Sequence, residues 1–93
     1  MTIPATDAVV EITRLYRFQW EEAQQGYVLL FPEGMVKLNP SAGEILKRVD
    51  GTRSVADIVR DLQTAFPGAE IEQDVLNFIQ TAYANGWIRT RPA

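Results

Sequence analysis

Between Tyr16 and Leu38 the chain holds three β-rich runs, separated by turns too short for anything but antiparallel pairing. The first run alternates, with Tyr16, Phe18 and Trp20 on one face and Arg17 and Gln19 on the other. That is a period-two strand with one wet face. The second, "YVLLF" (27–31), is apolar throughout, as a central strand covered on both faces should be. The third is "MVKL" (35–38). "EEAQQG" (21–26) reads as a polar hairpin loop, and "PEG" (32–34) as a tight turn that puts Gly34 where a positive φ suits it. Short connections make a 1-2-3 meander the simplest order.

The second half reads as helical. Asn39 is a good N-cap, and Pro40 fits the first helical position, where its missing N–H costs nothing. Ile45, Leu46 and Val49 mark a short apolar stripe, which "DGT" (50–52) ends. Ser54 and Asp57 have capping-box spacing, with Asp in place of the usual Glu. Val55, Ile58, Val59, Leu62 and Phe66 then recur at helical intervals. A third helix is expected over 70–85, with Glu70, Glu72 and Asp74 favouring its positive end and Gly86 just past its C-terminus. Trp87-Ile88 would pack back as a final short segment. Residues 1–13 read as a loose arm ahead of one domain over 14–93. The fold class is α+β: a three-stranded antiparallel meander followed by three helices, a winged-helix-like order.

Composition narrows the chemistry. The 93 residues include no Cys and no His. Disulfides, a thiolate nucleophile and the commonest metal ligand and general base are therefore absent, so no metal or other cofactor and no catalytic residue is expected. Nine basic against twelve acidic residues leave a net charge of −3, the wrong sign for neutralising phosphates. Glu21 with Glu22, and Asp57 with Asp61, fit solvated faces or caps better than a catalytic dyad. The first residues lack the basic and apolar blocks of a signal peptide, and no run has the roughly 18 apolar residues of a membrane span. A cytoplasmic protein without membrane contact is expected.

The third helix is wider than a core needs. At about 100° per residue, Phe78, Ile71, Ala82, Val75 and Ile79 fill an arc of roughly 100°. Leu76 and Tyr83 stretch the arc to roughly 160°. Either the helix is wedged between two neighbours, or Leu76, Ile79 and Tyr83 line a groove. The third strand has a neighbour on one side only, and Lys37 alone guards its other edge. Such an edge can take an added strand from an extended peptide. The open edges also permit an edge-strand or swapped dimer at crystal concentration, with a monomer expected in dilute solution.

The string "GYVLLFPEGMVKLNPSAGEILKRVDGTRSVADIVRDL" (26–62) resembles the core of the PqqD family. Its elements are the apolar strand, "PEG", "V-x-L-N" running into a helix, "DG-x-R-S/T-V" and a following amphipathic helix. "EIEQDVLNFIQTAYANGWI" resembles the family's third helix and its "G-W/L-I" ending. The resemblance runs from about Arg14 to Ile88. It implies a peptide chaperone of pyrroloquinoline quinone biosynthesis, a recognition element for ribosomally made, modified peptides. Such a protein binds the precursor peptide PqqA and presents it to the radical-SAM enzyme PqqE. It further implies that the peptide adds as a strand along Met35, Val36, Lys37 and Leu38, against a helix wall of Leu76, Ile79, Gln80 and Tyr83. The same element in another peptide-modifying pathway is an alternative. A winged-helix DNA regulator is a weaker one, since the third helix has no Lys or Arg between Glu70 and Asn85.

Overall fold

A computed structural model describes residues 5–91. Its elements run β1 (Val9–Ile12), β2 (Arg17–Glu21), β3 (Gly26–Phe31), β4 (Gly34–Lys37), α1 (Pro40–Leu46), β5 (Asp50–Ser54), α2 (Val55–Ala65), α3 (Glu72–Ala84) and β6 (Ile88–Thr90). They form an α+β fold with two antiparallel three-stranded sheets, ordered β2-β3-β4 and β5-β1-β6.

The β2-β3-β4 sheet is the meander expected from the sequence. Phe18 lies opposite Leu29 and Trp20 opposite Tyr27. Aromatic rings bind that face together: Phe18 stacks on Tyr27 at 4.6 Å between centroids, and Trp20 meets Tyr27 edge-on at 5.2 Å. Val28 and Leu29 of the central strand are both fully buried, Leu29 in the core and Val28 outside it on the opposite face. Gly34 does not take the positive φ expected of it. It pairs with Phe31 across a two-residue Pro32-Glu33 turn and opens β4.

The second sheet corrects the sequence reading at two places and sharpens it at a third. Residues 9–12, expected to belong to a loose arm, form the central strand β1. Val10 has no exposed surface, and Glu11 pairs with Arg89 of β6 and Asp50 of β5. The "DGT" segment, expected only to stop a helix, opens β5, with buried Gly51 at φ +82°. The Trp87-Ile88 ending leads into a paired strand, β6. Each of these strands is too short to stand alone, and its partners lie tens of residues away, so local patterning gives no sign of them. Residues 1–4 of the expected arm lie outside the described residues.

The helices follow their caps. Asn39 Oδ1 accepts from the Ala42 amide at 2.7 Å, with Pro40 in the first turn. The Ser54–Asp57 capping box is complete in both directions, at 3.1 and 3.3 Å. Gly86, at φ +78°, closes α3: its amide reaches Tyr83 O at 3.1 Å and the Trp87 amide reaches Ala82 O at 2.9 Å. Those two bonds make a Schellman ending. Arg48 follows α1 and joins it to α2, donating to Asp61 at 2.5 Å and Glu44 at 3.0 Å. Burial opposes the charge on Arg48, but the bonds to Glu44 and Asp61 outweigh it and raise its pKa.

One core joins the layers. Val10 and Ile88 come from the second sheet, Leu29 from the meander, and Leu46, Ile58, Leu62, Val75 and Ile79 from the helices. Each such side chain is worth about 1.5–3 kcal/mol when fully buried. Among the described residues no helix is long and apolar enough to cross a membrane.

Candidate functional site

The site begins with the free edge of β4, the last strand in the order β2-β3-β4. The Leu38 amide donates to Tyr27 O at 3.1 Å. Backbone groups of alternate residues point to opposite sides of a strand, so Val36 and Gly34 also face β3. Met35 and Lys37 therefore turn their N–H and C=O groups outward. Side chains alternate the other way, above and below the sheet. Val36 and Leu38 pack half-buried against the core, whereas Met35 and Lys37 are exposed. The edge thus offers two residues' worth of unpaired backbone, with an apolar floor from their neighbours.

The helix residues separate into three groups. Ile79 is only 2 % exposed and belongs to the core with Val75 and Ala82. It is not the open groove wall that the helical wheel allowed. Leu76 and Tyr83 are half-buried and pack against the same core as Val36 and Leu38. Gln80 is exposed and turns away from the core, into a shallow hollow of about 400 Å³ with Asn77 and Thr81. On the other flank of α3, Phe78 meets Trp87 at 6.4 Å between ring centroids. The wide apolar arc is thus an amphipathic helix with a buried centre and two half-buried flanks.

Two hollows start where β4 gives way to α1, and the sequence pattern indicated neither. One, of about 340 Å³, is walled by Pro40 and Ile45 of α1, Leu62 and Phe66 at the end of α2, and Ile71 and Val75 around the start of α3. Glu44 and Asp74 stand at it as well. The other, of about 460 Å³, lies over Trp20 and Tyr27, with Lys37, Leu38 and Pro40 beside them. Periodicity had marked Ile45, Leu62, Phe66 and Val75 as core. Only the convergence of three helix ends leaves Phe66 partly open, at 45 % exposure.

Comparison with known proteins gives a consistent result. Residues 26–88 match the family model for coenzyme PQQ synthesis protein D (PqqD). The chain is 54 % identical over 89 residues to a Pseudomonas paraeruginosa protein named PqqA binding protein, covering 95 % of this chain and 97 % of that one. A protein of the same name from Azotobacter vinelandii is 53 % identical over 81 residues, covering 86 % and 88 %. Among solved structures, the solution NMR structure of the PqqD truncation of Methylobacterium extorquens PqqCD superposes with a TM-score of 0.76 at 27 % identity, covering 95 % and 96 %. That truncation is described as a functional, stand-alone recognition element for ribosomally synthesized and post-translationally modified peptides.

Proposed function

Because the chain belongs to the coenzyme PQQ synthesis protein D family, we propose that it binds the precursor peptide PqqA in pyrroloquinoline quinone biosynthesis. The observation that carries this reading is the outward-facing backbone of Met35 and Lys37 on a sheet edge floored by Val36 and Leu38. An extended peptide pairs there as a fourth strand, its main chain supplying affinity and its alternate side chains specificity. On this proposal Leu76 and Tyr83 of α3 flank the added strand. The relatives named PqqA binding protein supply the identity of the peptide.

The second half of the proposal is presentation. The chain, working in the cytoplasm, hands the bound peptide to the radical-SAM enzyme PqqE, which does the chemistry. With no His or Cys in the sequence, this chain's part is to hold and align the peptide.

The test is a titration of isotope-labelled protein with PqqA. Amide shifts should centre on residues 34–38 and on the flank of α3 at Leu76 and Tyr83. Peptide binding with shifts confined to other surfaces would overturn the site. Failure to bind PqqA under any condition would overturn the function.

A further inference from the structure

The chain's cations are unevenly placed. Lys47, Arg48, Arg53, Arg60 and Arg89 each sit in an ion pair. Arg91 donates to Gly51 O at 2.8 Å. Among the described residues Arg14, Arg17 and Lys37 have neither an ion pair nor a side-chain hydrogen bond, and all three are exposed. Register puts Arg17 opposite Leu30, Leu30 opposite Met35, and Lys37 opposite Val28. Arg17, Leu30, Met35 and Lys37, with Val28 fully buried among them, therefore share the face of the meander turned away from α1, which packs on the Tyr27 side.

The face and the turn at its end also carry exposed apolar side chains. Leu15, in the turn before β2, is 56 % exposed, and Met35 is 39 % exposed. At the end of the sheet Arg14, Leu15, Tyr16, Arg17, Leu30, Phe31 and Pro32 line one hollow of about 370 Å³. The acids on this side are peripheral: Glu21 is at the far end of β2, and Glu33 is in the turn before β4. In a chain of net charge −3, unpaired arginines around an exposed leucine are the reverse of the general surface. Meanwhile Glu70, Glu72 and Asp74, around the start of α3, are exposed and without an ion pair among the described residues.

We propose that the outer face of the β2-β3-β4 sheet, built on Arg17, Leu30, Met35 and Lys37, with Arg14 and Leu15 at its end, docks an acidic, apolar-centred surface of the enzyme that modifies the bound peptide. This rests on the peptide-presenting reading above. Charge complementarity sets the sign of the partner: arginine is well suited to interface pairs with carboxylates, and aliphatic neighbours supply the dry centre. Position sets its use. Met35 and Lys37 carry the outward backbone of the β4 edge and also belong to this face, so a protein docked here lies beside a peptide on that edge. Steering by the two arginines gives an association that weakens with salt.

The experiment uses the full chain, PqqE and PqqA. Arg14→Glu/Arg17→Glu reverses two exposed charges that pair with nothing among the described residues, and Leu15→Ser removes the apolar contact. The charge reversal should weaken binding to PqqE by about tenfold or more, and the leucine change by severalfold. Affinity for PqqA should stay within about twofold, and the melting curve should not move. Labelled protein titrated with PqqE should shift at Leu15, Arg17 and Leu30. Unchanged PqqE affinity in the charge reversal, or PqqE-induced shifts confined to the helices, overturns the proposal. So does the same set of shifts on simply concentrating the protein, which would assign the face to a second copy. If PqqA binds but PqqE does not bind at all, docking fails while peptide binding stands. If PqqA itself does not bind, the underlying function fails.

Discussion

The Leu38 amide donates to Tyr27 O at 3.1 Å, and this bond decides which residues of β4 can receive a partner. It fixes the phase of the strand, so Val36 is tied inward and Lys37 outward. Lys37→Pro therefore removes a donor that nothing in the fold uses, whereas Val36→Pro removes one from the ladder and a side chain from the core. The expectation is a folded Lys37→Pro protein whose affinity for PqqA falls about tenfold or more, and a Val36→Pro protein destabilised by about 2 kcal/mol or more through the lost ladder bond and side-chain burial. Calorimetric binding alongside urea melts separates the two. A Lys37→Pro protein that binds PqqA normally would place the peptide elsewhere.

α1 approaches β3 so closely that only glycine fits at position 43. A methyl group there would stand 2.9 Å from Tyr27 Cδ2. The Tyr27 ring is itself held between Phe18 and Trp20, with Lys47 Nζ 5.8 Å from its centroid, so it has little room to give. Gly43→Ala should cost about 1–3 kcal/mol through overpacking, outweighing alanine's better helix propensity of about 1 kcal/mol. Denaturant midpoints at constant slope measure it.

The N-terminal strand is a further test. Val10 is fully buried between β5 and β6, and the Arg91 amide donates to Val9 O at 2.7 Å. Val10→Ala should lower stability by about 1–3 kcal/mol. A loose arm over these residues would make the substitution neutral, so thermal unfolding discriminates directly.

Two carboxylates tie stability to pH. The Asp57 carboxylate accepts from the Ser54 amide and lies against Arg60, and Asp50 accepts from the Thr52 hydroxyl and amide; both are held below the ordinary 3.8. A carboxyl depressed on folding stabilises the protein above its unfolded pKa and loses that contribution as pH falls through the folded value. Melting temperature should therefore fall on acidification from about pH 5 toward pH 2. Asp57→Asn, which cannot titrate, should flatten part of that slope while lowering the melting temperature at neutral pH. An unchanged slope would mean the capping box does not couple to folding.

Sequence alone determined the meander, the positions of its two turns, the caps at Asn39 and Ser54 and the stop at Gly86. All of these rest on contacts within a few residues, where side-chain type dictates backbone geometry. It also marked "MVKL" as an edge, because a third strand in a meander has one neighbour. What it could not yield is β1, β5 and β6, since Val9–Ile12 becomes a strand only when Asp50–Ser54 and Ile88–Thr90 arrive beside it. Nor could a helical wheel say whether the flank of Leu76 and Tyr83, beyond the core arc that holds Ile79, is covered or open: packing buries Ile79 and leaves Leu76 and Tyr83 half-buried. The hollow around Phe66 and the uncovered cations at Arg14 and Arg17 depend on where distant elements end. Tertiary structure alone decided these, because burial and pairing are properties of neighbours that the local sequence does not contain.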